Sequence, residues 1–177
     1  NVGGNTDKEL LLSLDDLKTK FPRVTYTAVI QCSGNGRSFF EPRVPGGQWK
    51  NGSMGNTTWS GARLKDILNM AGIKPGSVDV SFDGLDRGTL PTVPDFIKSL
   101  PVDKALEEDM LIAYEMNGAP LTMLNGFPAR LIVPGWYATY WVKSLSEIKV
   151  LPRQFEGFWM NPAYRIPDNA CGCVAPG

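Results

Sequence analysis

Residues 24–37 read Val-Thr-Tyr-Thr-Ala-Val-Ile-Gln-Cys-Ser-Gly-Asn-Gly-Arg. The first seven, Val24–Ile30, are rich in β-branched and aromatic residues and predict a strand. The glycine-containing run that follows predicts a turn. Cys32 therefore stands just past a strand end, where side chains face a cleft. Most free cysteines at such positions are small buried hydrophobes. Three features favour chemistry here. Cys32 sits at the hand-over from strand to turn. The glycines after it allow backbone N–H groups to converge as an anion nest. Arg37, five residues on, can lower a thiol pKa or hold an anion. A thiol beside a guanidinium suits a soft metal ligand.

Working outward, Leu10–Ser13 predicts a short strand and Leu14–Lys20 a short helix, with Pro22 breaking the chain. Residues 41–58 are rich in Gly, Pro and Asn and predict a long functional loop. Ser60 is the expected N-cap of a helix in which Leu64, Ile67, Leu68 and Ala71 share one face, closed by Gly72. Strands are predicted at Val78–Phe82, Leu111–Met116, Arg130–Val133 and Ile148–Leu151, and a short helix at Asp95–Leu100. Asn117-Gly118 is a strong turn signal. From Gln154 periodicity gives way to aromatics and prolines, among them Phe155, Trp159, Pro162 and Tyr164. The class is α+β, with mixed sheets and few short helices. A doubly wound parallel sheet is disfavoured, because strands and long helices do not alternate.

Composition narrows the chemistry. Lys+Arg and Asp+Glu balance at 18 each in 177 residues, which gives no electrostatic reason to expect nucleic acid as a partner. No apolar run approaches the roughly 20 residues of a membrane span. There is no histidine, which removes Ser-His-Asp and Cys-His catalysis and His-ligated zinc or haem from these residues. Chemistry here needs another base or a cofactor with its own reactivity. The three cysteines, Cys32, Cys171 and Cys173, do not form a disulfide framework. Cys171 and Cys173 are expected to be inert in this domain.

Other segments bear chemistry only in combination. Asn51–Gly61 (NGSMGNTTWSG) offers Gly, Ser, Thr and Asn ahead of a helix start, a pattern that can bind phosphate, although a surface loop is the commoner outcome. Arg130 opens an apolar strand, where a cation either snorkels outward or pairs with a buried anion. Trp141, Val142 and Lys143 place aromatic and cationic groups together. Tyr164, with Arg165, can donate a hydrogen bond to an oxyanion.

The order of these motifs resembles the sulfite oxidase family of molybdopterin oxidoreductases. Cys32-Ser33-Gly34-Asn35-Gly36-Arg37 is similar to its cysteine signature, and Trp59-Ser60-Gly61-Ala62-Arg63-Leu64 to its helix start. Asp83-Gly84-Leu85-Asp86, Ala113-Tyr114-Glu115-Met116-Asn117-Gly118 with Pro120-Leu121, Gly126-Phe127-Pro128-Ala129-Arg130, Val133-Pro134-Gly135 and Val142-Lys143-Ser144-Leu145 follow in the family's order. The resemblance runs from about residue 24 to 166. Within the family it is nearest to bacterial periplasmic sulfite dehydrogenases.

The resemblance implies a sulfite-oxidase-type fold over residues 1–166, with 167–177 a tail or linker to an immunoglobulin-like domain. An Arg-x-His segment is expected before residue 1. It implies a molybdenum cofactor with Cys32 as the protein's ligand to the metal. Arg37 would contact the substrate anion, and Tyr164 would hydrogen-bond at the reacting centre. Asp86, Arg130, Trp141, Val142 and Lys143 match cofactor-binding positions. Asn125 stands where many relatives have a cofactor-binding histidine, and its amide can substitute. The implied reaction is oxidation of sulfite to sulfate in the periplasm. Electrons would pass to a c-type cytochrome, and the haem would lie on that partner, because no Cys-x-x-Cys-His occurs here. A relative that reduces sulfoxides or nitrate, and a cofactor-free binding module of the same fold, remain the alternatives.

Overall fold

The computed structural model describes residues 1–165 and 168–170. In chain order the regular elements are β1 (Val2–Gly4), α1 (Leu14–Thr19), β2 (Val24–Gln31), β3 (Met54–Arg63), α2 (Leu64–Ala71), β4 (Asp79–Gly84), β5 (Lys98–Pro101), α3 (Val102–Ala105), β6 (Leu111–Met116), β7 (Ala119–Pro120), β8 (Arg130–Ile132) and β9 (Leu145–Leu151). The α+β class and the mixed sheets are as expected. Most of the tail at 167–177, including Cys171 and Cys173, lies outside the described residues.

One sheet has the order β2-β3-β6-β7, with β8 also paired to β6, and every pairing is antiparallel. The other has the order β1-β9-β4-β5, with β1 parallel to β9 and the remaining pairs antiparallel. The core draws on both sheets. Val80, Phe82, Ile148 and Val150 come from one, and Trp59, Leu111, Ile112 and Leu131 from the other. Leu64, Ile67, Leu68 and Ala71 of α2 are all buried against them, as their 3.6-residue spacing requires. Gly72 ends that helix at φ 74°, its N–H reaching Leu68 and Asn69 carbonyls.

Four expectations need correction. The loop expected at 41–58 is shorter, because β3 begins at Met54 and pairs along the whole of β2, from Gln31↔Met54 to Val24↔Gly61. Its Gly, Asn and Ser residues are poor strand formers. Pairing on both sides, with β2 and β6, overrides that local preference. Ser60 consequently lies inside β3, and Arg63 occupies the α2 N-cap position. The helix expected at Asp95–Leu100 is instead β5, with Phe82↔Lys98 and Val80↔Leu100 in register. Leu10–Ser13 is no strand. Leu10 makes a single bridge to Val2, and Ser13 caps α1, its Oγ accepting from Asp16 N while the Asp16 carboxylate accepts from Ser13 N.

Candidate active site

The turn after β2 is bonded both within itself and to residues 50–53. Cys32 N–H donates to Ser53 O at 2.9 Å, Asn35 N–H to Cys32 O at 3.0 Å, Gly36 N–H to Lys50 O at 3.1 Å and Arg37 N–H to Gly34 O at 3.0 Å. With the N–H groups of Asn35, Gly36 and Arg37 engaged by backbone carbonyls, the anion nest expected there is not formed. Gly34 N–H is aimed at the Cys32 sulfur, at 3.4 Å. Cys32 is half-buried. The side chain of Arg37 folds back over its own turn, donating to Gly47 O at 3.1 Å. A Cβ on Gly34 would meet the guanidinium at 3.0 Å, and one on Gly46 would overlap it. Both glycines thus form a slot that only a bare backbone leaves open. Asn51–Gly61 does not cradle a phosphate ahead of a helix, since most of it is strand.

Beside this turn lies a cavity of ≈ 660 Å³. Asp86, Arg130, Trp141, Val142 and Lys143 all line it, although they come from segments up to 57 residues apart in sequence. Ile30, two residues before Cys32 on β2, lines it as well. Asn125 meets the group from behind, its carbonyl accepting from Arg130 Nη1 at 3.1 Å. Cys32, Arg37 and Tyr164 are not among the lining residues. Gly126, at φ 98°, lets Lys143 lie on its backbone, where a Cβ would sit 2.9 Å from the lysine Cβ.

Arg130 is the electrostatic centre of the cavity. It is 6% exposed, yet no carboxylate among the described residues pairs with it. Nη2 donates to Trp141 O at 3.1 Å. Nε is buried with no hydrogen-bond partner. Burial alone pulls the guanidinium down to about 10. A buried, unpaired cation is costly, and a bound anion removes that cost. Lys143 adds an exposed ammonium, resting on Leu124 O at 3.1 Å. Trp141 lines the cavity, as its match to a cofactor-binding position implies. Its indole N–H is spent on Trp136 O at 3.0 Å, so it contributes its carbonyl to Arg130 and an apolar surface to the cavity.

Tyr164 sits apart, in the irregular segment after β9. It is half-exposed with φ 59°, and its ring lies 6.2 Å from that of Trp159. Sequence reasoning missed the apolar wall formed by Ile30, Phe96, Met123, Leu124 and Ala138, which carries no sequence signal beyond hydrophobicity. It also missed Lys98, which is fully buried; a lysine in a sequence reads as solvated.

These features fit a molybdenum–pterin group on the structure's own terms. Among the described residues no three His, Cys, Asp or Glu side chains cluster to hold a metal. A metal near Cys32 therefore finds one soft protein donor and needs further donors from an organic ligand. The cavity offers an unpaired buried cation, an ammonium, a carboxylate at Asp86 and apolar walls, the set a flat, hydrogen-bonding, anionic molecule requires.

Comparison with known proteins agrees. The family model described as "oxidoreductase molybdopterin binding domain" matches residues 1–159. Human mitochondrial sulfite oxidase is 39% identical over 170 residues, 93% of this chain and 31% of that protein. A nitrate reductase [NADH] of Volvox carteri is 36% identical over 178 residues, 95% of this chain and 20% of that protein. The crystal structure of the sulfane dehydrogenase SoxCD from Paracoccus pantotrophus superposes with a TM-score of 0.80 at 30% identity, covering 94% of this chain and 42% of that one. The chain thus spans less than half the length of these relatives. It belongs to the oxidoreductase molybdopterin-binding domain family and, within it, to the sulfite oxidase group of molybdopterin oxidoreductases.

Proposed function

We propose that residues 1–166 form the catalytic domain of a molybdenum enzyme that oxidises sulfite to sulfate. Sulfite and one water become sulfate, two protons and two electrons. The electrons leave singly to a c-type cytochrome that carries its haem on a separate chain. The observation that carries this reading is Arg130, a buried guanidinium without a counter-ion facing a cavity beside a half-buried thiol. When bound, the molybdenum cofactor supplies two-electron redox and oxygen transfer, which no side chain of this chain provides.

The chain's own residues divide the remaining work. Cys32 Sγ ligates the metal, and Gly34 N–H, aimed at that sulfur at 3.4 Å, orients it. Arg130 and Lys143 hold the cofactor's anionic part, and Asp86 and Asn125 hydrogen-bond its polar edges. Arg37, braced by Gly34, Gly46 and Gly47, presents a fixed charge to the sulfite anion. Tyr164 Oη donates a hydrogen bond to a substrate oxygen. The resemblance to sulfite dehydrogenases carries with it a periplasmic location, a preceding Arg-x-His segment and a following immunoglobulin-like domain. Among the described residues no helix is long and apolar enough to cross a membrane.

The deciding experiment uses the full-length protein with its molybdenum content measured. Reduction of ferricytochrome c by sulfite is the expected result. A fully loaded protein that is inert toward sulfite, or that reduces nitrate or a sulfoxide from a reduced dye, overturns the reading. The Volvox nitrate reductase match gives the nitrate arm its weight.

A further inference from the structure

Lys98 belongs to β5 and is 0% exposed. Among the described residues it has no ion pair. Its Nζ donates to Trp159 O at 2.6 Å and lies 4.2 Å from the Tyr140 ring centroid and 5.0 Å from that of Tyr164. These contacts join three parts of the chain that share no secondary structure. Tyr140 ends the 3₁₀ turn Ala138–Tyr140, whose Ala138 and Thr139 line the cavity. Trp159 and Tyr164 belong to the irregular segment after β9. Phe96, two residues before Lys98, lines the cavity and packs on Trp159 with centroids 5.2 Å apart. Trp159 is itself pinned by its indole N–H to Pro94 O at 2.9 Å.

We propose that Lys98 is a positioning residue for Tyr164, its ammonium holding the Tyr164 ring beside Tyr140 and the Trp159 carbonyl, next to the 3₁₀ turn whose Ala138 and Thr139 line the cavity. This rests on the reading of Tyr164 as a substrate contact. A methionine of similar length would fill the same space without the cost of a buried charge. The charge is useful where it sits because a cation attracts two aromatic faces and a carbonyl at once, which an aliphatic side chain does not. Tyr164 needs such a hold. Its backbone is in the left-handed region, it is half-exposed, and it lies in a segment without ladder hydrogen bonds. Burial, with Arg165 nearby, pulls the ammonium down to about 8, so the cation is retained near neutral pH.

The test uses the full-length enzyme and the variants Lys98→Met, Tyr164→Phe and the double variant. Lys98→Met is expected to lower kcat/KM for sulfite about tenfold at unchanged molybdenum content. The double variant is expected to lose no more than Tyr164→Phe alone, because both changes act through one phenol. Hydrogen exchange of residues 155–165 is expected to quicken about tenfold in Lys98→Met. Unchanged exchange, wild-type kinetics in Lys98→Met, or strictly additive losses overturn the proposal. If Lys98→Met does not fold, Tyr140→Leu, which removes a ring from the same ammonium, carries the same expectations and the same refutations. A wild-type enzyme that is fully loaded but inert toward sulfite overturns the functional reading instead, and the exchange measurement still judges Lys98.

Discussion

The Arg130 guanidinium on β8 lies 5.0 Å from the Trp59 ring on β3, across the intervening strand β6. Trp59 is itself edge-on to Trp141, with centroids 6.0 Å apart. The cation thus lies on an aromatic floor with its Nε left over. An aromatic face offsets part of the desolvation of a cation, on the order of 2 kcal/mol, and the remainder persists without an anion. Arg130→Met is therefore expected to leave the unliganded fold unchanged or up to ~2 kcal/mol more stable, while the full-length protein loses its molybdenum and pterin. Thermal unfolding and metal analysis on one preparation check both halves. A marked fall in apo stability, or full cofactor content, contradicts the account.

Replacing Cys32 by Ser keeps the shape of the turn but exchanges a soft donor for a hard one. The backbone bonds from Cys32 to Ser53 and Asn35 do not involve the side chain, so the fold should be intact. Sulfite turnover is expected to vanish while circular dichroism stays the same. Turnover comparable to wild type would show that the sulfur is not the ligand.

Arg37 makes one hydrogen bond from its side chain, to Gly47 O, and is partly exposed. Arg37→Gln should cost little stability. Loss of a charge-assisted contact to the substrate, roughly 1.5–3 kcal/mol, is expected to raise the sulfite KM by about tenfold or more. Steady-state kinetics on fully loaded enzyme measures this, and an unchanged KM would remove Arg37 from the substrate site.

Lys98 also gives the fold a pH signature. Its folded-state pKa, about 8, lies below the unfolded value near 10.4. Between those values the unfolded chain binds more protons than the folded one, so stability rises with pH from about 8 towards 10, by ~3 kcal/mol at most. Above 10 the raised pKa values of Tyr140 and Tyr114, both caused chiefly by burial, reverse the trend as unfolded tyrosines ionise. Urea unfolding at pH 7.5 and 9.5 should show the rise in wild type and its absence in Lys98→Met. An equal rise in both would assign it to another group.

Elements with strong local patterns were legible before the structure. Val24–Ile30 and Leu111–Met116 carry β-branched and apolar runs, and the α2 face carries its periodicity. The elements that escaped are held by partners distant in sequence. Met54–Arg63 looks like a loop because its Gly, Asn and Ser residues hide a strand that is stable between two neighbours. Lys98–Pro101 looks helical or polar because its first residue is a lysine that the tertiary structure buries. At the site, Asp86, Arg130, Trp141, Val142 and Lys143 were legible through the family resemblance of their motifs. Their residue types alone did not bring them together. Lys98 matched no motif, and the apolar wall residues are chemically anonymous.

The continuous strand β3 has a consequence for how this site tolerates change. One end of it lies against the thiol turn, through Gln31↔Met54, and its middle carries the indole beneath Arg130. The spacing between sulfur and guanidinium is thus measured off along a single ruler. Shifting that ruler by one residue would turn Trp59 to the opposite face. The stretch from Phe40 to Asn51 is fastened to the thiol turn at its far end, through Lys50 O, Trp49 O and Gly47 O. Engineers who lengthen or shorten it there would displace Arg37, and those who disturb the ruler would displace Trp59.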